Sequence, residues 1–348
     1  MRSGHYVESY DRLVALSDSR ATWIWTAVLA AALFALPAVA GNYTLTLATT
    51  IGITAIGVIG LNLLTGTTGL ISLGHSGFLA VGAYTNAILL ADYGWPLAAS
   101  LPAAGFVAAL VGLAVGVPSL RLKGLYLAIT TLAFAFIVSH VILYAEPITH
   151  GPNGIFLKRT DFLGVPLATD RDLYWFVLCV AILMTLAALN ILRTRIGRAW
   201  LAIRDHDIAA RVMGVNLVAY KLLTFVVSSF FTGIAGALVA LQIRFVNIDV
   251  FNLLLSIEAL AMIIFGGLGS VAGAIVGAAF LVLLPEAIRE AMAIAGGGAS
   301  ETVSKHLFQI RAIAYGVVIV FFLRFQPHGL IGLWRDAKKY WLNWPLAK

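Results

Sequence analysis

The chain has 348 residues, of which 61% are hydrophobic and only 11% charged, against about 45–50% and about 25% in soluble domains. So little polar surface does not cover a core of this size in water, which excludes a soluble globular protein and asks for lipid. The net charge of +7 is scattered over short segments between apolar runs, so the positive-inside bias of membrane proteins explains it and no nucleic acid partner is expected.

Residues 1–20 are mixed and polar, and Glu8, Asp11 and Asp18 dilute any positive n-region. They read as a cytoplasmic leader kept in the mature protein, not a cleavable signal. About 20 mostly apolar residues cross a hydrocarbon core of about 30 Å. Ten candidate spans follow: Ala21–Ala40, Thr44–Leu64, Leu70–Ala91, Leu97–Pro118, Leu125–Tyr144, Leu173–Leu192, Leu222–Ile243, Leu253–Phe265, Val271–Leu284 and Gln309–Leu323. The expected fold is all-α, a polytopic transmembrane bundle over residues 21–325 with broken or half helices. With the N-terminus inside, sixteen of the 23 Lys and Arg residues fall on the cytoplasmic side, which places both termini there.

Three connections are long enough to carry function. Residues 146–172 lie outside and hold THGPNG at Thr149–Gly154, with turn signals at Pro152 and Gly154. Residues 193–221 lie inside and are the most charged part of the chain. Residues 285–308 lie outside, with GGGAS at Gly296–Ser300 between two short helical patterns. Trp23, Trp25, Trp95, Tyr174 and Trp175 fall near span ends, where amphipathic rings settle. In the tail, residues 326–348, Trp334, Tyr340, Trp341 and Trp344 alternate with Arg335, Lys338 and Lys339, as in a helix lying on anionic lipid. Cys179 stands alone in an apolar run and reads as a small packing residue.

Two interruptions separate this chain from a passive anchor. In Leu64–Ala83, Gly66, Gly69, Gly74, Gly77 and Gly82 punctuate a run bearing Thr65, Thr67, Thr68, Ser72, His75 and Ser76. The second is FGGLGSVAGAIVG at Phe265–Gly277, with Gly266, Gly267 and Ser270. Glycines permit bends and close approach, and hydroxyls satisfy carbonyls freed by a break. Most of the glycines are expected to serve helix packing. The polar cluster Thr65–Ser76 is expected to lie partly beside a pathway.

Glu258 is an acid well inside a span, where a charge costs on the order of 3 kcal/mol. Structural and mechanistic roles stay open for it at this point. His75 and His140 read as hydrogen-bonded packing residues rather than metal ligands, and no Cys/His cluster indicates a metal. Asn62 and Asn86 are expected to bond across helices. In Thr194–Leu217, apolar Trp200, Ile203, Ile208 and Val212 recur at helical spacing with Arg198, Arg204, Asp205, Asp207 and Arg211 on other faces, and Gly214 reads as a helix stop. Such a cytoplasmic amphipathic helix suits docking of another protein or an interfacial position on lipid. The chain has no Gly-x-x-x-x-Gly-Lys-Ser/Thr loop, no Gly-x-Ser-x-Gly elbow and no His-Glu-x-x-His pair. It is therefore read as neither an ATPase nor an intramembrane enzyme, and no catalytic residue is assigned.

Five stretches carry a family resemblance from about Tyr43 to Leu333: Leu61–Tyr84, Leu120–Phe134, Gly151–Ile155, Arg193–Asn216 and Ser256–Phe280. In this order they resemble the LivM-type permeases of branched-chain amino acid ABC importers. The resemblance implies a multi-pass subunit of the bacterial inner membrane, partnered by a second homologous permease, two ATPase subunits that hold ATP and Mg, a periplasmic solute-binding protein and membrane lipid. This chain would itself hold no cofactor. Arg198, Ile203, Arg204, Asp205, Asp207, Ile208, Ala209, Ala210 and Gly214 would couple to an ATPase subunit. Asn62, Thr65, Thr68, Ser72, His75, Tyr84, Glu258, Gly266, Gly267 and Ser270 would lie along the pathway. Gly151, Asn153 and Gly154 would face the binding protein. Permeases of this scaffold for urea, short amides or aromatic acids are the alternative, followed by a stand-alone carrier or channel.

Overall fold

In the computed structural model, residues 20–122, 124–158, 160–167 and 169–295 are described, with Gly316, Val320, Arg324 and 329–333. The leader through Ser19, the GGGAS stretch, nearly all of Gln309–Leu323 and the aromatic tail beyond Leu333 lie outside the described residues. Among the described residues eleven α-helices of six residues or more run from Arg20 to Ala295: α1 (Arg20–Val39), α2 (Asn42–Thr68), α3 (His75–Ala91), α4 (Leu97–Ser119), α5 (Leu125–Tyr144), then, after the one-turn α6 (Glu146–Thr149), α7 (Asp170–Arg193), α8 (Arg195–Asp205), α9 (Asp207–Val212), α10 (Leu217–Ile243), α11 (Leu253–Gly266) and α12 (Val271–Ala295). Among the described residues six segments are long and apolar enough to cross a bilayer, and Ala27–Val39 and Val271–Ala287 are shorter apolar helices. The chain is thus a polytopic helical membrane protein.

Two helices form the centre. In the most apolar windows of α2 and α10, 67% of positions are buried, against 22% in α7. Side chains such as Phe106, Leu110, Phe136 and Ile137 on α4 and α5 point outward, as lipid-facing residues do. Close approach of α10 to its neighbours depends on missing side chains. A Cβ on Gly82 of α3 would overlap the Gly233 backbone of α10, and one on Gly236 would overlap the Leu79 carbonyl. Small residues at helix crossings serve the same end in other membrane bundles. Asn86 ties the contact further: its Nδ2 donates to the Ala237 carbonyl (3.2 Å), and its Oδ1 accepts from the Ser100 hydroxyl (2.8 Å). The expected asparagine bridge therefore forms.

Several boundaries differ from the sequence reading. The third span starts at His75, not Leu70, because Gly69 leaves α2 in a left-handed conformation (φ +74°) and residues 70–74 are irregular. Residues 285–295 are not a loop: α12 runs through Pro285 to Ala295. A proline within a span is tolerated where neighbouring groups re-satisfy the freed carbonyl. The segment Thr194–Leu217 is two helices, broken at His206, whose extended backbone (φ −161°, ψ 103°) ends α8. Its face is corrected accordingly: Trp200 and Ile203 are buried, but Ile208 and Val212 are 63% and 81% exposed.

Single residues also shift role. Tyr174, expected at the interface, is buried and donates its hydroxyl to the Leu33 carbonyl (2.8 Å), joining α7 to α1. Cys179, expected in packing, is exposed on α7. His140 is exposed on α5 against the Tyr144 ring (5.5 Å), with no hydrogen-bond partner among the described residues.

Candidate functional site

The two interruptions predicted from glycine and hydroxyl content are both real breaks, and they meet. The first lies between α2 and α3. Its hydroxyls bond backbone: Thr65 Oγ1 donates to the Leu70 carbonyl (3.1 Å), Thr67 and Thr68 to Leu63 and Leu64 (2.5 and 2.6 Å), and Ser72 Oγ accepts from the Gly74 amide (3.3 Å). Thr131 of α5 completes the turn by accepting from the Leu73 amide (3.0 Å). The second break, between α11 and α12, uses positive φ at Gly267 (+124°) and Gly269 (+81°). Gly266 lies so near Gly273 that a Cβ there would overlap the Gly273 carbonyl.

Asn62 joins the breaks. Its Oδ1 accepts from the Gly269 amide and its Nδ2 donates to the Ser270 carbonyl, both at 2.9 Å. One amide side chain therefore satisfies the Gly269 donor at the second break and shares the Ser270 carbonyl with the Ala274 amide, from a helix that ends at the first. Gly66, one turn along α2, leaves room for this; a Cβ there would overlap Asn62 Oδ1 and the Gly269 amide. Helix α8 reaches the same point. Arg204 Nη1 donates to the Gly66 carbonyl (2.5 Å), and a Cβ at Gly269 would lie 2.5 Å from that nitrogen. Arg204 is exposed on α8 while its guanidinium bonds the backbone of α2.

Helix α8 is held firmly. Trp200 is fully buried with its indole N–H on the Tyr220 carbonyl (3.1 Å), and Arg198 bonds the Arg193 carbonyl (3.2 Å). Asp205, Ile208 and Ala209 are exposed, whereas Ile203 and Ala210 are buried. Asp207 stands 4.0 Å from the Lys221 ammonium, and Gly214 (φ +87°) stops the segment as its sequence predicts. A groove of about 510 Å³ lies between Asp207, Arg211, Lys221 and Leu120, beside exposed Val212 and Met213.

Above the junction lies a cavity of about 320 Å³ among α2, α3, α10, α11 and α12. Of the predicted pathway residues, His75 and Glu258 line it; Asn62, Thr65, Thr68, Ser72, Tyr84, Gly266, Gly267 and Ser270 do not. The last group builds the junction, except Tyr84, whose buried hydroxyl has no hydrogen-bond partner among the described residues. Contrary to expectation, the His75 ring has no hydrogen-bond partner among the described residues; it packs against Gly57, where a Cβ would lie 3.3 Å from Cε1 and Nε2. Two serines set the spacing of the helices bearing His75 and Glu258. Ser256 Oγ accepts from the Ser76 amide and donates to Ser76 Oγ, both at 2.9 Å. Ser256 was not singled out from sequence, although a hydroxyl one half-turn before an intramembrane acid is a usable signal. Thr131 offered none, since its partner lies 58 residues away. No group of three metal-ligating side chains occurs among the described residues.

On the opposite side, the turn at Gly151–Asn153 leads into a two-residue strand, Ile155–Phe156, that pairs antiparallel with Phe245–Val246 after α10. Gly154 (φ +66°) sits so close to the Val246 carbonyl that a Cβ would lie 2.6 Å from it. Gly151 is buried and Asn153 exposed, so Asn153 is the side chain of this predicted docking set that faces outward. His150 Nε2 lies 3.1 Å from Asp92, fastening the loop to the end of α3.

Comparison with known proteins agrees with this architecture. Residues 43–323 match the family described as branched-chain amino acid transport system, permease component. The chain is 36% identical over 305 residues to the high-affinity branched-chain amino acid transport system permease protein LivM of Salmonella typhimurium, covering 81% of this chain and 68% of that protein. Identity to the LivM of Escherichia coli is 35% over the same shares. A probable branched-chain amino acid transport permease protein LivH of Methanocaldococcus jannaschii is 26% identical over 81% of this chain and 89% of its own length. No solved structure matches. With four fifths of its length matched, across both helix breaks and helices α8 and α9, the chain belongs to the branched-chain amino acid transport system permease family.

Proposed function

We propose that this chain is a permease subunit of a binding-protein-dependent ABC importer that moves branched-chain amino acids across the bacterial inner membrane. ATP and Mg are held by two partner ATPase subunits, and a second homologous permease completes the pathway. Similarity to both LivM and LivH proteins supports a paired arrangement of two related permeases. In this reading the chain has ten spans with both termini inside, residues 193–221 meet an ATPase subunit, and residues 146–172 meet the solute-binding protein.

The observation that carries the reading is the Arg204–Gly66 bond. A carrier that works alone has no need to wire a cytoplasmic surface helix into two intramembrane breaks. A subunit driven by a partner does, because motion of α8 then shifts both breaks together. The groove beside Asp207, Arg211 and Lys221, with Val212 and Met213 exposed next to it, offers the partner a mixed charged and apolar surface, as interface cores and rims require.

The test is purification of the tagged chain from its native host in mild detergent, with mass spectrometry of what accompanies it, followed by leucine uptake in proteoliposomes. A second permease, ATPase subunits and uptake dependent on both ATP and the binding protein are expected. A chain that emerges alone and transports leucine without ATP overturns the reading in favour of a secondary carrier.

A further inference from the structure

The cavity above the helix junction has a lining that the family reading does not account for. It extends from His75, Gly57 and Glu258 to Thr50, Pro285 and Glu286, and most of its wall is aliphatic. Two ionisable side chains lie at its deep end, His75 at 4% and Glu258 at 6% exposure. Ionisable groups inside a membrane are costly, and they pair with other groups or mark a pathway; Glu258 has a polar contact of its own, and a carboxylate with two oxygens accepts more than one donor. His75 is a donor and acceptor with no hydrogen-bond partner among the described residues, and its ring faces the space. It also opens α3, at the positive end of that helix, where an anion is favoured. Glu258 approaches from α11, and the Ser76–Ser256 bridge holds the two helices at a set spacing. Below this end, the Asn62 bonds to Gly269 and Ser270 close the way toward α8.

We propose that this cavity is the chain's own solute site, in which Glu258 receives the ammonium group of an aliphatic amino acid, His75 with Thr54 receives its carboxylate, and the apolar walls receive its side chain. Carboxylate to ammonium and imidazole to carboxylate are charge-assisted contacts, stronger than neutral ones and specific for a zwitterion. Aliphatic neighbours such as Ile53, Leu79, Val239 and Met262 match a branched hydrocarbon and supply no partner for a polar side chain, whose burial there would be unfavourable. The inference rests on the amino acid importer reading, and it adds a second selection step inside the membrane, after that of the binding protein.

The experiment uses the complete complex in proteoliposomes with three readouts. Wild-type complex without leucine uptake would overturn the importer reading itself. With wild-type uptake established, Glu258→Gln and His75→Gln are expected to lower leucine uptake about tenfold or more, while ATP hydrolysis stimulated by the binding protein stays within twofold, and Glu258→Asp recovers part of the uptake. Unchanged uptake in both variants overturns the solute site and leaves the importer reading intact. The third readout does not depend on the ionisable residues. Thr54→Cys in a Cys179→Ser background is labelled with a small thiol reagent, and millimolar leucine is expected to slow labelling several-fold, whereas 4-methylpentanoate, which lacks the ammonium group, does not. Equal protection by both removes the ammonium–Glu258 assignment, and no protection by either overturns the site.

Discussion

Removal of the Asn62 side chain is the sharpest test of how the two helix breaks are held together. Asn62→Ala deletes two 2.9 Å hydrogen bonds at a position 2% exposed and leaves the Gly269 N–H without its partner, while the Ser270 carbonyl keeps the Ala274 amide. Interhelical hydrogen bonds in membranes average about 0.6 kcal/mol, which sets a lower figure near 1 kcal/mol for two. A buried polar group left unsatisfied costs about 1–3 kcal/mol, and with the Gly269 N–H as that group the expected loss is about 1–3 kcal/mol. Gly66→Ala attacks the same junction sterically, because the new methyl meets Asn62 Oδ1 and the Gly269 amide. The two changes should therefore be non-additive: once Asn62 is alanine, much of the clash at residue 66 is gone. Equilibrium unfolding of the four proteins in mixed micelles gives the double-mutant cycle, with a coupling of about 1 kcal/mol or more expected. Additivity within about 0.3 kcal/mol, or an Asn62→Ala protein as stable as wild type, would refute the junction as described.

Arg204→Ala is expected to uncouple the complex, with uptake reduced about tenfold while the partners still hydrolyse ATP; parallel uptake and ATPase assays check this. Trp200→Ala removes a fully buried ring and its bond to Tyr220 and is expected to cost about 3–5 kcal/mol in an unfolding experiment. Ser256→Ala strips the Ser76 amide of its partner and should lower stability by about 1–3 kcal/mol. Gly154→Ala meets both a positive φ and the Val246 carbonyl; it is expected to weaken association with the binding protein, read by surface plasmon resonance, with unfolding of the membrane bundle unchanged.

Composition alone decided that this chain lives in lipid, because so few charges cannot dress a water-facing surface. Hydrophobic runs of about 20 residues located most helices, since a bilayer admits few other solutions for the backbone. The breaks were legible too: clustered glycines and hydroxyls in Leu64–Ala83 and Phe265–Gly277 mark a backbone that departs from helix. Which groups answer the freed amides and carbonyls was not legible, since Asn62 finds Gly269 at a separation of 207 residues and Ser76 finds Ser256 at 180. No local pattern encodes a partner at that distance. The amphipathic reading of Thr194–Leu217 erred for a related reason. Periodicity assumes one continuous helix, and the extended backbone at His206 rotates the faces on either side, exposing Ile208. Residue types thus declared where the chain would bend and which side chains were costly in lipid. Only packing decided which of them close the junction, Asn62 and Arg204, and which face the cavity, His75 and Glu258, because that outcome depends on how α2, α8 and α11 lie against one another in space.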